Sequence, residues 1–128
     1  MDKIKIVVVG GGWGGCAAAI AAVKAGAEAV LLERTDMLLG TGLVGGIYRN
    51  NGRQTAAEEM TALGGGDLFH VMDECAGHKN IEFPGHAHAS LYNVYEIKPA
   101  VKKYLIGLGV KVVTGASAMK IDKKEGKM

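Results

Sequence analysis

The chain is short of cysteine, of net charge and of long apolar runs. Its two cysteines, Cys16 and Cys75, are too few for a disulfide scaffold and fit a reducing compartment. A net charge of +2 gives no electrostatic case for nucleic acid or an anionic membrane as a partner. No segment approaches the roughly 20 apolar residues that span a bilayer. The N-terminus does not read as a signal peptide, because Lys3 and Lys5 interleave with a strand pattern. A cytoplasmic location is therefore the expectation.

What the chain has is glycine and small apolar residues. Apolar types make up 48% of its 128 residues, enough to drive folding. The 20 glycines are clustered rather than periodic, which points to turns and not to low complexity. The length suits one domain over residues 1–128, large enough for a core but small for a complete two-substrate enzyme.

Ile4 to Val9 is a β-branched run of the kind expected for a strand covered on both faces. Gly10 to Gly15 breaks it. Ala17 to Val23 then reads as a helix with small residues all round, stopped at Gly26. Ala29 to Leu32 is a second strand and Met37 to Gly46 a glycine-rich loop. Ile47 to Gly52 reads as a short extended piece and a turn. Thr55 is a candidate cap for a helix to Leu63, with Glu58 three residues on. Asp67 is the expected cap of a further helix reaching about Cys75. His78 to Ser90, which holds Pro84, shows no period and reads as a loop. Glu96 to Leu108 is an amphipathic helix with Pro99 in its first turn. Val110 to Thr114 is a third strand parallel to the first two, and Ser117 to Ile121 is a candidate fourth. There is no internal repeat and no interdomain linker. The expected class is α/β, a Rossmann-like βαβ unit with a parallel sheet flanked by helices.

The chemistry concentrates in the spacing Gly10-x-Gly12-x-x-Gly15, which follows a strand and opens a helix. Gly10 permits the tight turn. Gly12 lets the backbone approach a pyrophosphate, and Gly15 lets the helix lie close to the strand. The helix N-terminus, with Trp13 and Gly14 in it, offers N–H groups and the positive dipole end to phosphates. Glu33 ends the second strand, placed to accept hydrogen bonds from a ribose diol and to repel a 2′-phosphate. Arg34 could meet such a phosphate, but the acid before it argues against NADP. Trp13 is exposed by position, where it either shields the pyrophosphate or meets a further domain.

The opening resembles the dinucleotide-binding motif of FAD-dependent oxidoreductases. The longer form GxGxxGxxxAxxxxxxG is met by Gly10, Gly12, Gly15, Ala19 and Gly26, with Glu33 as the ribose acid. The resemblance implies FAD as the cofactor. It implies that Gly40, Thr41 and Gly42, in the loop after Glu33-Arg34, pass the pyrophosphate and the isoalloxazine edge. It also implies an adenine-side backbone contact near Ala118. Members of that family are longer, with a substrate domain and a C-terminal glycine–aspartate segment, so the chain is expected to be an incomplete FAD domain whose substrate domain is missing or separate. No histidine lies between Met37 and Tyr48, so a covalent flavin link there is not expected.

Two alternatives remain: an NAD-binding dehydrogenase domain, and a non-catalytic nucleotide-binding or interaction module. Catalytic residues are unassigned. Cys16 at a helix N-terminus could be an activated thiol, but among alanines it reads as a small packing residue. His70, His78, His86 and His88 lie near Cys75, Asp67, Asp73 and Glu74 in sequence, yet match no metal-site spacing, and no metal is expected.

Overall fold

A computed structural model describes residues 3–50, 57–83 and 86–123, apart from the side chains of 50, 57, 78–83 and 86–90. A parallel sheet carries the N-terminal half of the architecture. Strand β1 (Lys5–Val9) leads through helix α1 (Trp13–Lys24) into β2 (Glu28–Glu33). The chain then passes a 3-10 turn (Gly40–Gly42), a two-residue strand β3 (Arg49–Asn50), and helices α2 (Ala57–Ala62) and α3 (Asp67–Glu74). Strands β4 (Ala76–Phe83) and β5 (His86–Tyr92) follow, then helix α4 (Val94–Gly107) and β6 (Lys111–Thr114). The sheet order is β1-β2-β6, all parallel, running from Lys5↔Glu28 to Val9↔Leu32 and from Val30↔Lys111 to Glu33↔Thr114.

Parallel neighbours need crossovers, and here α1 and α4 supply them. Both pack on the same face of the sheet, with α3 against them. Their buried residues, Cys16, Ala19, Ile20 and Ala22 from α1 and Ile97, Val101 and Leu105 from α4, meet Ala29 and Leu31 of β2. A fully buried Leu, Ile or Val of this kind contributes about 1.5–3 kcal/mol. The opposite face differs from the expectation of a strand covered on both sides. Val7 and Val9 of β1 are 59% and 61% exposed, because among the described residues no helix lies over them. Alternation along β1 therefore buries only Val8 against the core.

The segment expected as a loop over His78–Ser90 is instead an antiparallel pair, β4 with β5, joined by β3 in a second sheet of order β3-β5-β4. The register shifts between Ala76 and His78, between His78 and Ile81, and between Ile81 and Phe83. Each shift breaks the two-residue alternation, which is why the sequence shows no period there.

Three smaller expectations also change. Helix α4 begins at Val94, two residues before Glu96, because the Asn93 side chain accepts a hydrogen bond from Tyr95 N at 3.0 Å. Pro99 thus stands in the second turn, where it removes one helical donor. Gly66, not Asp67, is the N-cap of α3. The Asp67 carboxylate instead accepts from Lys24 Nζ at 2.7 Å and from Tyr104 Oη at 2.9 Å, tying α3 to α1 and α4. Residues 117–121 form no strand; Met119 and Ile121 are exposed, and among the described residues no strand pairs with this segment. The cap expected at Thr55 lies outside the described residues.

Candidate cofactor site

The glycine turn is built by backbone demands that differ at each position. Gly10 adopts φ +100° and donates its N–H to Leu32 O at 2.8 Å, so the turn leaves the sheet at once. A Cβ on Gly15 would fall on the Gly10 carbonyl oxygen. Glycine there sets how closely α1 approaches the turn. Gly11, a free position in the spacing pattern, is equally constrained: a Cβ would lie 2.7 Å from Leu38 Cδ2 and 3.0 Å from Glu33 Cβ. Gly12 and Gly14 are the opposite case, since a Cβ on either would meet nothing within 4 Å. No side chain caps α1, and the first bond into the helix is Cys16 N to Gly12 O at 2.9 Å. The N–H groups of Trp13, Gly14 and Gly15 are thereby left at the helix's positive end.

Glu33 pins this turn from below. It is buried, and Oε2 accepts from Gly11 N at 2.7 Å while Oε1 accepts from Thr35 N at 2.7 Å and stands 2.9 Å from Thr35 Oγ1. Burial alone would push its carboxyl up. The donors Thr35 N, Gly11 N and Thr35 Oγ1, with the nearby charge of Arg34, outweigh that and hold it below the usual glutamate value. A carboxylate has about four acceptor positions, and these contacts use three. Thr35, two residues past Glu33, is a site residue that the motif does not point to; its hydroxyl also lies 2.8 Å from Met37 O.

The second glycine loop meets the first. Leu39 N donates to Gly11 O at 2.7 Å, and Leu39 bridges to Gly12. Leu39 is fully buried at φ 68°, a strained setting for a branched side chain. It leads into the 3-10 turn, where Gly42 N donates to Leu39 O at 2.8 Å. A Cβ on Gly40 would lie 3.3 Å from Gly12 Cα, so the two turns are in contact. Thr41 is exposed and Gly42 buried.

Tyr92, from the second sheet, donates its hydroxyl to Gly42 O at 2.8 Å and lies 3.0 Å from Ile47 O. Burial pushes its phenol up to about 12, against the opposing effect of the Trp13 indole. Trp13 was expected to be exposed; it is instead partly buried, edge-on to Tyr92 at 6.1 Å between ring centroids. The cause lies far away in sequence: Tyr92 ends a strand that reads as loop.

Other expected residues are less tightly gathered. Arg34 is exposed. Ala118 is exposed, two residues beyond Ala116, whose N–H donates to Glu33 O at 3.0 Å. Cys16 is fully buried, its Sγ 3.3 Å from Gly11 O, and burial raises its thiol to about 11, so it is a packing residue and not an activated one. Cys75 is buried and raised in the same direction, also by burial first. Among the described residues no three His, Cys, Asp or Glu side chains gather to hold a metal. His70 is exposed on α3, and the side chains of His78, His86 and His88 lie outside the described residues. No described helix is long and apolar enough to cross a membrane.

The profile of the family described as glucose inhibited division protein A matches residues 5–126. No curated protein matches the chain. Among solved structures, THI4 of Thermovibrio ammonificans is similar at 16% identity and a TM-score of 0.57, over 98% of this chain and 44% of that one. The p-nitrophenol 4-monooxygenase PnpA from Pseudomonas putida DLL-E4 gives 21% and 0.58, over 98% and 35%. The Diels-Alderase PyrE3 gives 20% and 0.61, over 94% and 27%. The chain thus spans less than half the length of each of these structures, and at such identities they speak to fold. The chain belongs to the glucose inhibited division protein A family, and its fold is the Rossmann-like dinucleotide-binding fold of the FAD-dependent oxidoreductases that its opening motif resembles.

Proposed function

We propose that the chain binds the ADP half of FAD, as the N-terminal, cofactor-holding part of a flavin-dependent oxidoreductase. The observation that carries this is the uncapped start of α1. Three N–H groups at a positive helix end stand beside Gly12 and Gly14, where a Cβ would meet no protein atom. A turn that leaves such space while packing tightly at Gly11 and Gly15 suits a diphosphate.

The roles follow from position. Gly10, Gly12, Gly14 and Gly15 shape and line the phosphate seat, with Trp13 contributing its N–H. Glu33 gives its one remaining acceptor position to a ribose hydroxyl while holding Gly11. Gly40, Thr41 and Gly42 face the route from diphosphate to flavin. Arg34 and Ala118 serve the adenosine side. Bound FAD would supply two-electron redox chemistry; the protein positions it and shields it from water. Substrate-binding elements would lie largely in a further domain, a reading supported by the greater length of the similar structures. The isolated chain should therefore turn over little. The free thiols Cys16 and Cys75 support a cytoplasmic setting.

The test is FAD titration of the wild type and Gly12→Ala, followed by flavin fluorescence, with thermal melts alongside. Gly12 has φ −67° and open space, so alanine should leave the melting temperature unchanged. It should weaken FAD binding by about tenfold or more through lost phosphate contact. Equal FAD affinity in the two proteins would sink the reading. NAD shares the ADP half, and competition between NAD and FAD on the wild type separates the two cofactors.

A further inference from the structure

A cavity of about 370 Å3 opens where the Gly40–Gly42 turn faces α3. Met72, almost fully buried, is among its lining residues, with Trp13 and Phe69 partly buried beside it. Ile47, Thr41 and Arg49 are exposed at its rim. The volume is that of a small-ligand site, and its lining is apolar apart from one threonine and one guanidinium. Among the described residues Arg49 takes part in no salt bridge. Trp13 belongs both to this cavity and to the helix start that we assign to the diphosphate. A molecule seated here would therefore adjoin the start of α1.

We propose that this cavity seats a small apolar carboxylic acid, aromatic in preference, whose carboxylate is held by Arg49 while its body packs against Trp13, Phe69 and Met72. The proposal rests on the FAD reading for its meaning, since it makes the acid the substrate class presented to the flavin. The chemistry of recognition stands by itself. A guanidinium matches a carboxylate with two parallel hydrogen bonds, and the aromatic walls favour a flat apolar body. A free inorganic anion would satisfy Arg49 but leave the apolar walls wet. A neutral apolar molecule would fill the walls but leave Arg49 unused.

Trp13 is the single tryptophan, so its fluorescence reports on the cavity directly. The full chain is titrated with benzoate and with benzamide, which has the same shape without the charge. Benzoate should change the Trp13 emission saturably and bind about tenfold or more tighter than benzamide. Arg49→Gln, an exposed substitution, should abolish that preference and leave benzamide binding within about twofold of wild type. Arg49→Lys should keep only part of it, having the charge without the fork. Saturating FAD should leave benzoate affinity unchanged or raised. Benzoate binding no tighter than benzamide would overturn the proposal, as would a preference that survives Arg49→Gln. Displacement of benzoate by FAD would assign the cavity to the flavin and also overturn it. The FAD titration of the Gly12→Ala variant decides the cofactor reading alone, so the two can fail separately.

Discussion

Two glycine-rich turns touch at Gly12, and they are held in different ways. The first, Gly10 to Gly15, is fixed from close by: a positive φ at Gly10, no room for a Cβ at Gly11 or Gly15, and the Glu33 carboxylate under Gly11. The second, Leu39 to Gly42, is tied to the first at its start, where Leu39 N donates to Gly11 O, but its far end is held from a distance by the hydroxyl of Tyr92 and the packing of Trp13. The contrast separates a turn pinned by its own neighbours from a loop whose far end depends on another sheet. A site assembled this way can keep one end constant while the far end adapts.

The largest effect expected on the first turn comes from Gly15→Val. The new side chain must displace the Gly10 carbonyl, and with it the strand-to-helix turn. Overpacking of this kind costs about 3 kcal/mol. Urea denaturation should show the loss as a lower midpoint at unchanged slope. A variant as stable as wild type would mean that α1 can shift away from β1, and the contrast between a rigid and an adaptable turn would collapse.

Next comes Glu33→Gln, which keeps the shape and removes the charge. The amide must turn an N–H toward one of the two backbone donors, Gly11 N or Thr35 N, leaving it unsatisfied in a buried place. The expected cost is about 2 kcal/mol at neutral pH. The pH dependence has a definite sign. The folded carboxyl lies below its unfolded value, so its contribution is complete above the unfolded value of about 4.3 and is lost as pH falls through the folded one. Stability curves of the two proteins should therefore converge in acid. A gap that stays constant down to low pH would show that the carboxylate charge is not what pins Gly11.

The same contrast explains what the sequence makes legible. The first turn reads directly because its constraints are local: glycines at fixed offsets after a β-branched run, and an acid at the end of the next strand. The strands β1, β2 and β6 and the helices α1 and α4 follow from runs and periods long enough to register. The second turn reads as a glycine-rich loop, but what holds its far end does not, because that determinant sits some fifty residues away in Tyr92, whose strand is disguised by register shifts along β4. Thr35 and Gly11 were within reach, the first as a hydroxyl two residues after a buried acid, the second as one of three consecutive glycines. Arg49 carries no local signal at all; only the fold places it at the rim of the cavity with Phe69 and Met72. The one-sided burial of β1 could not be read either, since a β-branched run looks the same whether one face or both are covered.

The smallest effect, and the one that sharpens the contrast most, is Tyr92→Phe. The ring stays edge-on to Trp13, while the carbonyl oxygen of Gly42 loses its donor and that of Ile47 its hydroxyl neighbour at 3.0 Å. The cost should be about 1 kcal/mol, a modest shift in the melt. The location of the loosening is the sharper measure. Hydrogen exchange at Gly42 N and Leu43 N, bonded to Leu39 O and Gly40 O, should accelerate, while Gly10 N and Cys16 N should keep their protection. In the wild type the fold favours the neutral phenol, through burial first. That contribution is intact below the unfolded value of about 10 and is lost as pH rises toward about 12, so the two proteins should converge in alkali. Equal acceleration at both turns would mean that the second turn also holds the first, and that the Gly10–Gly15 turn depends on Tyr92 as much as on Glu33.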